Sequence, residues 1–274
     1  MRRTGALLVC ALLLQVRPTV GQTIPTQYLD GRALALGGAL ALRAGDARAI
    51  WWNPAALLSP DSSWSVALGA ARPFGLADLT SAGLAVARTR PRHGLGIGVA
   101  TFGDDAYRET VMSFGAGVRF TSSLRAGASV HLTDVAISGY ERSTMLAVSC
   151  GILVPVSKRV TASFLGASLM TWSWGELLLT AARKYDASIE YAATDEVRLS
   201  GIVTREDGNR WSSGVALAVE PHPWLSLYLG RTGGPSGFTS GCEIRTRFVH
   251  FSYGVRFHPD LDPTHAATVT LVGK

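Results

Sequence analysis

Apolar and small polar residues alternate along most of the chain beyond residue 62. Trp64, Val66, Leu68 and Ala70 fall on one side of an extended backbone, with Ser65, Ala67 and Gly69 on the other. Leu95, Ile97 and Val99 alternate with Gly94, Gly96 and Gly98. Leu124, Ala126, Ala128, Val130 and Leu132 alternate with Arg125, Gly127, Ser129, His131 and Thr133, and Val249, Phe251, Tyr253 and Val255 with His250, Ser252, Gly254 and Arg256. Side chains i and i+2 share one face of a strand, so a period of two predicts strands. About fourteen runs fit, at 63–71, 80–89, 93–102, 109–120, 124–135, 143–154, 158–169, 183–193, 195–204, 210–220, 223–231, 237–246, 248–257 and 264–272. Each is about 9 to 12 residues long. That suits a tilted membrane-crossing strand of about 9 to 11 residues better than a soluble strand of about 5 to 6.

The connections predict a sidedness. Short links fall at 90–92, 121–123, 155–157, 194, 222 and 247, and longer ones at 73–79, 103–108, 138–142, 171–182, 205–209, 232–236 and 258–263. Short turns at one end and longer loops at the other are the habit of outer-membrane barrels, the short set facing the periplasm. Trp64, Tyr107, Phe120, Tyr140, Trp172, Trp174, Trp211, Trp224, Phe248 and Phe257 sit near strand ends, where aromatic rings are stable at headgroup level. In hydrocarbon an open sheet leaves edge N–H and C=O groups unpaired at a cost of several kcal/mol each, so the sheet must close. The fold class expected is all-β, a closed antiparallel transmembrane β-barrel of about 14 strands with an N-terminal segment plugging the lumen. The competing reading is a soluble β-sandwich with its apolar faces packed together.

Composition narrows the choice. Charged residues are only 17% of the 274, and 30 are glycine, against typical shares of about 25% and about 7%. A disordered chain needs more charge, and so much glycine weakens helix interiors. No apolar run of about 18 residues occurs beyond the N-terminus, which argues against a helical membrane protein. Met1-Arg2-Arg3 followed by the apolar Ala6 to Leu14 and the small residues up to Gly21 reads as a secretory signal peptide. The expected division is therefore signal peptide 1–21, plug segment 22–61 and barrel 62–274. Without Arg2, Arg3 and Arg17 the charge falls from +6 to +3, 23 basic against 20 acidic residues, which gives no reason to expect a nucleic-acid partner. Cys150 and Cys242 lie on apolar faces and are expected as buried free thiols.

Residues 22–61 do not alternate. Within them Gly37-Gly38 allow a bend or close packing, Asp46 is a candidate helix N-cap for 47–52, and Pro54 ends that helix, forcing Asn53 to be extended. Arg32-Ala33, Gly37-Gly38-Ala39, Asp46-Ala47, Ala49 and Asn53-Pro54-Ala55 with Leu57 resemble the N-terminal signature of the FadL-like and PorV/PorQ families of outer-membrane proteins. The tail from His258 to Leu271 is similar to that of PorV/PorQ-like barrels, except that Asp262 replaces a glycine and the chain ends Leu271-Val272-Gly273-Lys274 without a terminal aromatic. The resemblance implies a fourteen-stranded barrel with its N-terminal segment, including Gly37, Gly38, Asp46, Asn53 and Pro54, tucked into the lumen. FadL-type members pass hydrophobic small molecules; PorV/PorQ members serve secretion and surface attachment. Short loops favour the PorV/PorQ side.

No catalytic constellation or G-x-S-x-G context is present, so no enzyme activity is expected. His258, His265, Asp260 and Asp262 suit a turn as well as a metal, and Asp104-Asp105 suit a solvated loop, so neither metal nor cofactor is assigned. Arg125, Asp186, Glu190, Arg198, Glu243 and Arg245 fall on the inward face, where they line a polar path or pair with one another. Trp51-Trp52 are expected to pack the segment against the wall. The partners expected are outer-membrane lipid and either hydrophobic small molecules or secreted proteins. An interaction barrel that transports nothing is the remaining alternative.

Overall fold

The computed structural model describes residues 20–22, 29–39, 45–61, 63–140, 142–175, 179–209, 211–233 and 236–273. Fourteen strands, each antiparallel to its neighbours, close into one barrel. In chain order they are β1 (Ser63–Arg72), β2 (Ser81–Thr89), β3 (His93–Gly103), β4 (Tyr107–Arg119), β5 (Arg125–Ile137), β6 (Ser143–Pro155) and β7 (Val160–Trp174). The second half is β8 (Lys184–Ala192), β9 (Val197–Glu206), β10 (Ser212–His222), β11 (Leu225–Gly233), β12 (Ser236–Arg245), β13 (Val249–Phe257) and β14 (Thr264–Gly273). β14 closes on β1, from His265 opposite Arg72 to Gly273 opposite Trp64. Every backbone edge is thereby paired, as hydrocarbon requires.

The alternation sorts the side chains as expected. Leu68, Leu95, Ile97, Met112, Phe114, Val215 and Leu229 are exposed on the outer face, while Ser65, Ser113, Ser129, Ser226, Ser252 and Thr268 are buried on the inner one. A monomer in water rarely exposes apolar surface on this scale. Against lipid the same surface is where it belongs. Trp64, Phe120, Trp224 and Phe248 ring the short-turn end, and Tyr140, Trp172, Trp174, Trp211 and Phe257 the other, all exposed.

Five sequence expectations need correction. Tyr107 faces inward, and its hydroxyl donates to Glu109, so it belongs to neither aromatic ring. β7 does not stop near 169 but runs to Trp174, because after a register shift between Val148 and Cys150 it keeps pairing with β6 as far as Thr144 opposite Trp174. Most of the supposed longest loop is therefore strand, and Leu179–Ala181 adds a short parallel pairing with Val20–Gln22. Loop lengths differ less between the two ends than expected, since β3 and β4 pair all the way to Gly103 opposite Arg108. Finally, Cys150 is exposed and Cys242 half-buried on the outer face, free but not within a core. Their strand positions put them on the lipid side of the wall. The expected signal peptide lies outside the described residues as far as residue 19.

Candidate functional site

The described residues 29–39 and 45–58 of the N-terminal segment pack against the inner face of the barrel wall. Asp30 opens a five-residue helix α1 (Gly31–Ala35), its carboxylate accepting from the Arg32 N–H at 2.9 Å. This helix lies against β11 to β14. Three hydrogen bonds tie it to the wall: Gly31 N–H to Thr268 Oγ1 at 3.0 Å, Thr268 Oγ1 to the Leu29 carbonyl at 3.0 Å, and Thr239 Oγ1 to the Ala35 carbonyl at 2.7 Å. Gly37 and Gly38 turn the chain with φ of 59° and 88°, a conformation glycine adopts without strain. The chain then reaches α2 (Ala49–Trp52) and a 3-10 turn at Pro54–Ala56, which lie against β3 to β6. The segment thus touches two separate sectors of the wall, and Trp52 packs against the apolar clusters of both.

Two local details differ from the sequence reading. Asp46 does not cap the helix directly; its carboxylate accepts from the Arg48 N–H at 2.9 Å in the turn before it. Pro54, with Asn53 extended before it and the Asn53 carboxamide accepting from Ala55 N–H at 3.0 Å, begins a second turn as well as ending the first. A proline suits the first turn position because its missing N–H would have no partner there.

The small inner face now has a cause. A Cβ on Gly254 would fall on the Gly31 carbonyl, on Gly94 on that of Leu57, on Gly127 on Pro54, and on Gly151 on the Asn53 side chain. At these positions the wall is bare because the segment presses directly on its backbone.

Charge binds the same two parts. Arg48 makes a two-pronged contact with Asp46, Nη2 to Oδ2 at 2.8 Å and Nε to Oδ1 at 3.1 Å. Its Nη1 lies 3.7 Å from Asp30 and 3.8 Å from Glu243 of β12. Arg32 Nε lies 3.6 Å from the same Glu243 oxygen, to which Tyr228 Oη donates at 3.1 Å. Burial alone would raise the Asp46 carboxyl, but the Arg48 guanidinium outweighs it and holds that carboxyl well below the ordinary range. For Asp30 burial wins over Arg48 and Arg32, and its carboxyl is raised.

The other inward residues stand in separate groups. Asp186 accepts from Thr204 at 2.7 Å and lies 3.0 Å from Lys184 Nζ. Arg198 meets Glu220 at 2.5 Å, and Arg245 meets Glu220 at 3.4 Å and Ser226 at 2.8 Å. Arg125 stands opposite Arg119 at the short-turn mouth. Glu190, with Arg32, Leu36, Ser200 and Tyr228, lines a lumen cavity of about 10 Å³, the size of one water. His131 is held between Ser113 at 2.9 Å and Ser129 at 3.0 Å, so both ring nitrogens meet hydroxyls. Among the described residues no three His, Cys, Asp or Glu side chains come together as metal ligands. Sequence reasoning brought Glu243 inward but missed its partners Arg32, Arg48 and Tyr228, and the Asp30 carboxylate that shares Arg48. Charged residues inside a run of alanine and leucine were the signal.

No family model matches the chain, and no curated protein matches it either. The fold is similar to that of solved hydrocarbon channels and of a FadL homologue. The CymD monoaromatic hydrocarbon channel aligns with a TM-score of 0.66 at 11% identity, over 91% of this chain and 98% of that one. The Pseudomonas putida toluene transporter TodX aligns at 0.64 and 10%, over 93% and 98%. A Pseudomonas aeruginosa FadL homologue aligns at 0.56 and 11%, over 92% and 99%. At such identities the likeness is one of fold, and it lies on the FadL-like side of the resemblance.

Proposed function

We propose that this chain is a non-enzymatic outer-membrane barrel that passes hydrophobic small molecules, its N-terminal segment acting as the gate. The observation that carries this reading is the segment itself, pinned across the lumen between β11–β14 and β3–β6 through a buried Arg48–Glu243 contact. A barrel used only as an anchor has no need of a charged contact buried under its own plug, whereas a gate needs a held and a released state. The fold likeness to channels for monoaromatic hydrocarbons favours an apolar solute of that class over the secretion and surface-attachment role that the short loops suggested. Apolar lining from Ala67, Ala85, Ala87, Ala100 and Leu153 of the wall suits such a solute once the segment shifts.

The test is uptake of radiolabelled toluene into proteoliposomes carrying the full barrel, a variant lacking 32–58, and empty vesicles washed identically. Uptake should exceed the empty-vesicle rate and rise further on removal of the segment. Rates equal to empty vesicles in both forms would end the transport reading. Recovery of a secreted protein crosslinked to the outer loops would restore the alternative.

A further inference from the structure

The outer wall is not uniform. Where β14, β1, β2 and β3 lie side by side, large apolar residues give way to a row of small ones. Ala267 stands opposite Ala70, Ala70 opposite Ala82, and Ala82 opposite Thr101. This row floors a dent of about 560 Å³ in the outer surface, bounded toward the short turns by Val269, Leu68, Leu84 and Val99. Four strands at about 4.8 Å spacing make it roughly 15–20 Å long. Packing in the lumen does not explain the alanines. Gly69 and Gly83 must be glycine because Leu29 presses on them from inside, but the alanines point the other way.

The next register pair toward the loops is Arg72 opposite His265. Both are exposed on the outer face. Tyr253, the in-register neighbour of Ala267 on β13, places its hydroxyl 2.6 Å from His265 Nδ1 and stacks on the ring at 6.1 Å. In the tautomer whose Nδ1 accepts from Tyr253, Nε2 carries the ring proton and points away as a donor. The Arg72 guanidinium pairs with no carboxylate among the described residues. Two N–H donors, one of them a planar cation, stand directly above an apolar slot. Donors of this kind match a phosphate, and the slot matches a hydrocarbon chain.

We infer that the dent holds one acyl chain of a phosphate-bearing membrane lipid, with the phosphate bound by Arg72 and His265. The inference rests on the reading of the chain as a membrane barrel but not on what passes through the lumen. Native mass spectrometry of the full barrel, purified in mild detergent and offered phosphatidylglycerol or diacylglycerol of matched chain length, tests it. One phosphatidylglycerol should be retained per barrel, at least ten-fold in preference to diacylglycerol. Ala70→Trp with Ala82→Trp should abolish retention of both. Arg72→Gln with His265→Gln should abolish the preference. Heat-modifiable migration on gels checks that each variant is a folded barrel; if the double tryptophan variant is not, Ala82→Leu alone should still reduce retention several-fold. Retention unchanged by filling the dent overturns the inference, as does a second barrel crosslinked over Ala70 in place of lipid. Recovery of the chain in the soluble fraction overturns the membrane reading as well, whereas a membrane-resident barrel without bound lipid overturns this inference alone.

Discussion

Arg48 of the N-terminal segment and Glu243 of β12 lie 3.8 Å apart with side chains 2% and 1% exposed. Glu243 also faces Arg32, so one wall carboxylate answers two arginines of the segment. Asp30 and Asp46 sit on the segment itself and travel with Arg48 if it moves. Glu243 does not. It is the charge that registers the segment against the wall, and leaving either side buried without the other is costly.

Glu243→Gln should therefore weaken the folded state by about 3–5 kcal/mol, the usual cost of breaking a buried ion pair from one side. The released segment should become a protease substrate. Trypsin cleavage after Arg32 and Arg48, followed by mass spectrometry, should accelerate in the variant while the strands stay protected. Cleavage at the wild-type rate would show that Glu243 does not hold the segment.

The acid response should be divided between two carboxylates of opposite sign. The folded value of Asp46 lies below the unfolded one, near 3.9. Its contribution to stability is thus complete above about pH 4 and lost as pH falls through the folded value. Asp30 is raised, so its ionised form costs stability at neutral pH and acid relieves that cost. Asp46→Asn should destabilise the segment at pH 7 and flatten its loss of stability below pH 4. Asp30→Asn, which keeps an acceptor for the Arg32 N–H, should be neutral or stabilising at pH 7. Urea titrations at pH 7 and pH 3, read by hydrogen exchange of the segment's amides, separate the two.

Much of this fold was legible because the period of two is set by the backbone, and a wall facing lipid on one side needs few other rules. Strand β1 begins at Ser63 and β13 ends at Phe257, where the alternation starts and stops. The sequence pattern for β7 breaks off early because Ser168, at a φ of 53°, turns inward at the register shift, although Met170, Trp172 and Trp174 lie on the same outer face as Phe164. The helix α1 was missed because five residues carry too little periodicity to announce themselves. The glycines of the inner face signalled close approach by something, but only the fold shows which backbone segment each one meets. Pairings such as Arg48 with Glu243 depend on how the segment crosses the lumen, which no local pattern records.

The membrane-facing surface makes a depth-dependent prediction. Ile97 is exposed on the outer face midway along β3. Ile97→Arg should cost about 2–4 kcal/mol in lipid, while Trp211→Arg at the loop-side rim should cost about 0–1 kcal/mol. Folding titrations into phosphatidylcholine vesicles give both numbers. If the two substitutions cost the same, the face does not see a hydrocarbon gradient, and the outer wall packs on protein instead.

The bare inner wall gives the sharpest test of the segment's position. Gly94 faces the lumen, and a Cβ there would collide with the Leu57 carbonyl, a backbone atom that cannot swing aside as a side chain can. Gly201 points to the lipid side, where a Cβ would meet Ile189 Cγ2 at 3.8 Å and the Gly214 carbonyl at 4.0 Å, both ordinary contacts. Gly94→Ala should therefore cost about 1–3 kcal/mol as an overpacking defect, while Gly201→Ala should stay within about 0.5 kcal/mol. The strain at Gly94 is relieved if Leu57 and the turn before it withdraw, so the same variant should release the segment to trypsin without loosening the barrel. Its proteoliposomes should also take up toluene faster than wild type if the segment is the gate. A Gly94→Ala barrel with unchanged stability and unchanged trypsin resistance would mean that residues 54–58 do not rest on β3, and the account of the lumen given by the Arg48–Glu243 contact would lose its second support.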